Sequence, residues 1–160
     1  MKAIHKTTLT FFAAVTLVCF CAPQASAHRL AFVTQDRATM LQYIIENQPG
    51  LGELIAKAGL APTLSGDAAY TFLMPSEAEL NNLKNESAQR VRTILSGHIL
   101  KGKYLESDLN DGATIETLAG TKVTVCRKKD YTLVNGIRII TSNNEVKNGV
   151  VHKLSGVIKG

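Results

Sequence analysis

The sequence predicts an α+β fold in which short helices come first and antiparallel strands follow. Two patterns carry this prediction. Apolar residues recur every three or four positions in the first half of the chain, as on one helix face, and from Thr114 onward they alternate with polar residues, as along a strand. The turn dipeptides Asn135-Gly136 and Asn148-Gly149 separate the later strands, because both residue types tolerate the positive φ of tight turns.

Two short helices joined by a tight corner are predicted first. Residues 40–45 keep the spacing of one apolar helix face, and we expect Pro49-Gly50 to end that helix. Residues 51–58 repeat the spacing, and Gly59 stands where a helix C-terminus often places glycine.

A strand and a third helix follow. Residues 70–74 are rich in strand formers, and Pro75 stops the strand because it cannot donate a hydrogen bond to a central sheet ladder. Ser76 and Glu79 have the spacing of a capping box, in which each side chain accepts a hydrogen bond from a free amide at the start of the helix.

A fourth helix is predicted to begin near Ser87 and to end at Gly97. After it the strand period predominates, and we expect a run of antiparallel strands. The predicted strands are 114–118, 122–127, 131–134, 137–142 and 150–158.

The last predicted strand contains the histidine that decides between a catalytic and a structural interpretation. Alternation places Val150, His152 and Leu154 on one face, toward the core. A buried neutral imidazole needs only one donor and one acceptor bond, commonly to the backbone. A general base needs a second group within reach, and no local pattern supplies one. We therefore interpret His152 as bonded within the fold, with catalysis as the alternative.

Other catalytic and metal motifs are missing from the sequence. It has no Gly-rich phosphate loop, nucleophile elbow or HExxH helix. His98 and His152 have no His, Cys, Asp or Glu partner at helical or hairpin spacing, so neither a metal site nor a cofactor is predicted.

The charge pattern does not favour a nucleic-acid partner. The chain has a formal net charge of +5, and its charges are interspersed. The densest cluster, Arg127-Lys128-Lys129, is followed by Asp130 and lies between two strand-like runs, which predicts a solvated turn.

Residues 1–27 have the pattern of a secretory signal peptide. Two lysines precede a low-polarity stretch over residues 9–22, which is shorter than the ~20 residues that a bilayer-spanning helix needs, and Ala25-Ser26-Ala27 is a small-residue cleavage pattern. We expect cleavage after Ala27, leaving residues 28–160 as one secreted or periplasmic domain without a transmembrane segment.

The positions of the cysteines agree with a secreted domain that has no lipid anchor. Val18 and Phe20 stand where a lipoprotein signal needs a small residue, so a lipid anchor at Cys19 or Cys21 is disfavoured. Only Cys126 follows the predicted cleavage point, so we expect packing rather than a disulfide to hold the domain together.

Three segments resemble fasciclin-like (FAS1) domains in order and spacing. Residues 71–76 (TFLMPS) resemble the first family signature, and residues 148–152 (NGVVH) resemble the second. Residues 94–100 (ILSGHIL) resemble the segment between them that ends a helix. The resemblance assigns structural roles within the signatures to Thr71, Pro75, Asn148, Gly149 and His152.

The resemblance also implies a fold and a class of function. It implies a twisted β-sandwich or wedge of antiparallel strands with a bundle of short helices, and it implies that His152 bonds within the core. Members of this family are exported or surface proteins that mediate adhesion, and catalysis is not a family property. Adhesive relatives have Asp-Ile and Tyr-His pairs, for which this chain has Thr93-Ile94 and Gly97-His98.

The function predicted from these observations is an exported, non-enzymatic module that binds another protein or a surface or matrix component. Its oligomeric state is left open. The candidate contact residues are Ile94, Leu95, His98, Lys101 and Lys103. The alternative for these residues is a structural one, in which Ile94 and Leu95 are core and the lysines belong to a solvated loop.

The second functional hypothesis is a carrier of an apolar small molecule, such as a lipid or a pigment, held between the helices and the sheet. It is suggested by the apolar side chains of Met40, Tyr43, Phe72 and Met74. Such residues are more often simple core.

Overall fold

The computed structural model describes residues 37–159. The predicted signal peptide and its cleavage point lie outside these residues. The helices are α1 (Met40–Asn47), α2 (Pro49–Lys57), α3 (Ala61–Ser65), α4 (Glu77–Lys84) and α5 (Ala88–Ser96). The strands are β1 (Tyr70–Met74), β2 (Ile99–Lys101), β3 (Thr114–Glu116), β4 (Lys122–Arg127), β5 (Thr132–Val134), β6 (Ile137–Val146) and β7 (Gly149–Leu154). The α+β class is therefore confirmed.

The corner between α1 and α2 differs in detail from the prediction. Helix α1 starts with a capping box, in which Thr39 Oγ1 accepts a hydrogen bond from Gln42 N and Gln42 Oε1 accepts one from Thr39 N. Pro49 does not simply end α1 but is the first residue of α2. Proline suits that position because its fixed φ is helical and the missing N–H has no intrahelical partner there.

The two predicted caps in the middle of the chain have different outcomes. Ser87 caps α5, with its Oγ accepting a hydrogen bond from Arg90 N at 3.2 Å. The capping box predicted for Ser76 and Glu79 is wrong, because the Ser76 side chain makes no capping bond and Glu79 Oε2 instead accepts a hydrogen bond from Asn82.

The strands form one seven-stranded sheet in the order β2-β1-β7-β6-β5-β4-β3. Neighbouring strands are antiparallel except for β1 and β7, which run parallel from the pair Tyr70 and Gly149 to the pair Met74 and Lys153. The expectation of an entirely antiparallel arrangement is wrong at this pair. Alternation reveals which face a side chain takes, but it carries no information about the direction of the neighbouring strand.

The last two strands also have different bounds from those predicted. Strand β6 continues to Val146 through two register shifts, and β7 ends at Leu154. The shifts accommodate Asn143, which has a φ of 60°. A residue inserted into one strand in this way bends the strand, and its backbone groups stay outside the ladder, where they can make other contacts.

The sheet curls, so that its two edge strands touch through an isolated bridge between Leu100 and Thr117. The curl separates two apolar clusters. One lies between the helices and the sheet and includes Met40, Ile44, Leu51, Ile55, Leu64, Phe72, Met74, Val91, Leu95 and Val151. The other lies inside the curl and consists of Leu73, Leu100, Leu109, Ile115, Val123, Val125, Val134, Ile139, Leu154 and Ile158.

Asn148 joins the helices to the centre of the sheet. Its Oδ1 accepts a hydrogen bond from Met40 N, and its Nδ2 donates to Leu64 O and Gly66 O, each at 2.8 Å. Its main-chain O accepts from Tyr70 N at 3.2 Å. The buried amide is fully bonded and connects the start of α1, the end of α3 and the start of β1.

Gly149 lets β7 approach β1 at this point. Its φ is +151°, and a Cβ added there would lie 1.8 Å from Tyr70 O and 2.8 Å from Met40 Cε. Both atoms belong to packed parts of the structure, so any larger residue must push the two central strands apart.

Gly149→Ala should therefore lower the free energy of unfolding by about 3 kcal/mol, because overpacking adds to backbone strain. The matched control is Gly120→Ala, where φ is +79° but the added Cβ meets nothing within 4 Å. We expect that variant to lose about 1–2 kcal/mol through backbone strain alone. Urea unfolding measures both, and equal losses would contradict the steric explanation.

Candidate functional site

His98 is fully buried at the end of α5 and connects three parts of the fold. Its Nδ1 donates a hydrogen bond to Ile94 O at 2.9 Å, and its Nε2 accepts one from Ile158 N at 2.9 Å. Its main-chain O accepts from Leu73 N at 2.8 Å. Both ring nitrogens are thus engaged, and the geometry requires the neutral ring with its proton on Nδ1.

His152 is also fully buried, on the side of β7 that faces the inside of the curl. Its Nε2 donates to Tyr104 O at 2.9 Å, and its Nδ1 accepts from Asn143 N at 3.3 Å. This neutral ring therefore carries its proton on Nε2, the opposite tautomer to His98.

Thr71 links the first family signature to the second. Its Oγ1 donates to Gly102 O and accepts from Tyr104 N, both at 2.8 Å. The loop after β2 is thereby fixed with Tyr104 O in the position that His152 uses. Pro75, which is buried, follows β1 directly.

Burial controls the charge of both histidines. Desolvation lowers the pKa of His98 to about 4, against a smaller opposing effect of the hydrogen bond to Ile94. Desolvation also lowers the pKa of His152, although the bond to Tyr104 O and the nearby Glu106 carboxylate oppose it. Neither ring is therefore protonated at neutral pH.

A carboxylate network lies beside His152. Glu106 accepts hydrogen bonds from Ser142 Oγ and from Thr132 Oγ1, the second at 3.1 Å. The Ser142 bond is the main reason that the pKa of Glu106 lies below its usual range. Glu106 N donates to Asn143 Oδ1 at 2.8 Å, so the network holds the irregular part of β6 in place.

The arrangement leaves neither histidine a free ring nitrogen with which to act as a base or a ligand. Within residues 37–159, moreover, His, Cys, Asp and Glu nowhere come together in a group of three that could hold a metal ion.

The five predicted contact residues do not form one surface. Leu95 and His98 are fully buried, so a partner cannot reach them in the folded domain. Lys101 pairs with Glu116 at 2.5 Å, and Lys103 pairs with Glu145 at 2.8 Å. Ile94 is partly buried, as the structural alternative anticipated, and it lines a cleft.

This cleft, which we call the α5 cleft, has a volume of about 410 Å³. It lies between α5, the turn after β3 and the segment that follows β7. Its lining includes the cations Arg90, Lys122 and Lys159 and the apolar residues Ile94, Val123 and Ile158. Sequence reasoning missed the cations, because their positions are far apart in the chain and only the fold brings them together.

The residues that suggested an apolar ligand between helices and sheet are mostly core. Met40 and Phe72 are fully buried in the helix-side cluster, and Met74 is 3% exposed. Tyr43 is partly buried against the same cluster. They therefore fill the space that such a ligand would need.

A family model, the Fasciclin domain, matches residues 50–159. The chain belongs to the fasciclin family. Transforming growth factor-beta-induced protein ig-h3 of Sus scrofa is 33% identical over 137 residues, which cover 78% of this chain and 20% of that protein. Periostin of Homo sapiens is 28% identical over 115 residues, covering 71% of this chain and 14% of that protein. This fasciclin chain thus spans a fifth or less of those relatives.

Two further comparisons extend the similarity. Protein sll1483 of Synechocystis is 25% identical over 172 residues, which cover 98% of this chain and 95% of that protein. A solved FAS1 domain pair from the insect cell adhesion molecule Fasciclin I has a TM-score of 0.63 and 16% identity, covering 77% of this chain and 51% of that chain. The second comparison shows that the fasciclin fold is shared.

No helix among residues 37–159 is both long enough and apolar enough to cross a membrane.

The buried histidines should make stability depend on pH. The folded state holds fewer protons than the unfolded state between the His98 pKa of about 4 and the ordinary value of 6.5. Stability therefore falls as the pH decreases through that window. We expect His98 to account for a loss of about 2 kcal/mol between pH 6.5 and pH 4.5, because one proton contributes at most about 1.4 kcal/mol per pH unit.

Urea unfolding across this range measures the slope, and His98→Gln should flatten it. Nitrogen-15 NMR of the imidazoles at pH 7.5 provides an independent readout, with the proton on Nδ1 in His98 and on Nε2 in His152. An imidazole at position 98 that titrates near pH 6.5 would contradict the assignment.

Proposed function

We propose that this fasciclin chain is an exported, non-enzymatic module that binds another protein or a surface or matrix component. One observation carries the non-enzymatic part of the proposal: both interior histidines use both ring nitrogens in bonds to the backbone of the same chain. A histidine that acts as a general base must have a free ring nitrogen within reach of a substrate.

Family membership supports the binding part of the proposal. The structural neighbour is named as a cell adhesion molecule. Export follows from the signal-peptide pattern in residues 1–27, and we infer that residues 28–160 form a single mature domain.

The partner is expected to contact those of the five predicted contact residues that are exposed. Lys101 and Lys103 have side chains that are 52% and 43% exposed, and each forms an ion pair with an exposed glutamate. Exposed ion pairs of this kind contribute little to stability, so these lysines can be exchanged without unfolding the domain. Ile94 offers an apolar contact from α5.

A pull-down from the surface fraction of the native cells tests the contact set. The double variant Lys101→Ala with Lys103→Ala should retain several-fold less of a partner that the wild type retains, because the two exposed cations among the predicted contact residues are lost. The matched control is Lys128→Ala with Lys129→Ala, which removes the same charge from the exposed turn after β4. Equal retention by both variants and the wild type would contradict the proposed surface.

A carrier of an apolar small molecule is the second candidate function. The α5 cleft favours it, since its volume of about 410 Å³ lies within the usual range for small-molecule sites. The apolar molecule would then bind in the α5 cleft and not in the apolar cluster between the helices and the sheet.

A further inference from the structure

The α5 cleft combines an apolar wall with positive charge. Ile94 supplies a partly buried apolar side chain from α5, and Val123 and Ile158, which are 1% and 3% exposed, form the floor of the cleft. Arg90, Lys122 and Lys159 also line the cleft, and no acidic residue is among its lining residues. A ligand that complements this cleft combines an apolar part with a negatively charged group.

The three cations are available to such a ligand. None of them lies within 4 Å of a carboxylate among residues 37–159, where the ion pairs involve Arg37, Lys101 and Lys103 instead. Unpaired cations at the edge of an apolar cleft act in a lower dielectric than free solution, which strengthens their attraction for an anion.

Negative groups lie near the cleft, but none of them forms an ion pair with its three cations among residues 37–159. Glu116 is opposite Lys122 in the β3–β4 register and pairs with Lys101. Glu79 and Glu86 line a neighbouring cleft of about 300 Å³ that shares Arg90, Ile94 and Lys159 with the first. The Ile94 carbonyl at the end of α5 is taken by Gly97 N and His98 Nδ1, so it does not compete for the cations.

We propose that the α5 cleft binds an aliphatic carboxylate, with its hydrocarbon chain against Ile94, Val123 and Ile158 and its head group held by Arg90, Lys122 and Lys159. A small inorganic anion would leave the apolar wall uncovered, and a neutral alkyl chain would leave the cations without a counter-charge. This inference rests on the carrier function proposed above for the α5 cleft and names its ligand class, and it does not depend on the macromolecular binding.

The test is a calorimetric titration of the purified mature protein with three probes of equal chain length, each kept below its micelle concentration. Decanoate should bind at one site per chain. Decanol should bind about tenfold more weakly, because it lacks the charge. Decyltrimethylammonium should not bind. Absence of decanoate binding, or equal binding of decanoate and decanol, would overturn the proposal.

Variants then locate the site. The triple variant Arg90→Gln, Lys122→Gln and Lys159→Gln should weaken decanoate binding about tenfold and leave decanol binding unchanged. The control variant Lys128→Gln, Lys129→Gln and Lys147→Gln removes the same charge from exposed positions outside the cleft and should bind both probes like the wild type. Equal weakening by both triple variants would show only a net-charge effect and would overturn the assignment.

A cleft-filling variant separates the apolar wall from the cations. Thr93 is exposed on α5 and lines the cleft, so Thr93→Trp should block decanoate and decanol alike. Circular dichroism of each variant establishes that the domain is folded. Unchanged decanoate binding by folded Thr93→Trp would contradict the site. A failed titration with an intact pull-down, or the reverse, distinguishes this inference from the proposed function.

Discussion

The parallel pairing of β1 with β7 is the constraint on which the rest of the structure depends. It joins two segments separated by more than seventy residues, and it lies in the interior of the sheet with β2 on one side and β6 on the other. The pair also divides the two apolar clusters. Phe72 and Val151 pack toward the helices, while Leu73 and Leu154 pack inside the curl. Gly149 is required because only a residue without a side chain fits against Tyr70 O.

The two histidines complete this arrangement by bonding backbone groups of the helices, loops and irregular segments around the sheet. His98 connects α5 with the segment after β7, and His152 connects β7 with the loop after β2 and with the irregular part of β6. A neutral imidazole can do this because it offers one donor and one acceptor, and burial keeps it neutral by lowering its pKa. The same bonds that stabilise the fold engage both nitrogens of each ring.

The sequence predicted those parts of the fold that local pattern determines. The apolar spacing of residues 40–58 predicted α1 and α2, and the turn at Asn135-Gly136 predicted the β5–β6 hairpin. Helix α3 and strand β2 were missed, since segments of five and three residues are too short to show a period. The parallel direction of β7 was missed because strand direction depends on contacts far along the chain.

The prediction of functional residues was limited in the same way, because it depends on contacts between distant parts of the chain. The family resemblance pointed to Asn148, Gly149 and His152, whose contacts are the central ones of the structure. It also led to His98 as a surface contact, although Gly97 caps α5 in a conformation that places the next residue in the interior. The α5 cleft had no signal in the sequence, because its cations belong to three different elements.

Native-state hydrogen exchange tests the central claim most directly. If the β1–β7 pairing holds the fold together, the amides of Phe72 and Met74 should exchange only through global unfolding, with an opening free energy equal to that measured by urea. Alternation places these two amides on the same side of β1 as Tyr70 N, which donates to Asn148 O. The amides of the edge strand β3 should open at lower free energy. Exchange of the β1 and β7 amides at lower free energy than those of β3 and β4 would contradict the account.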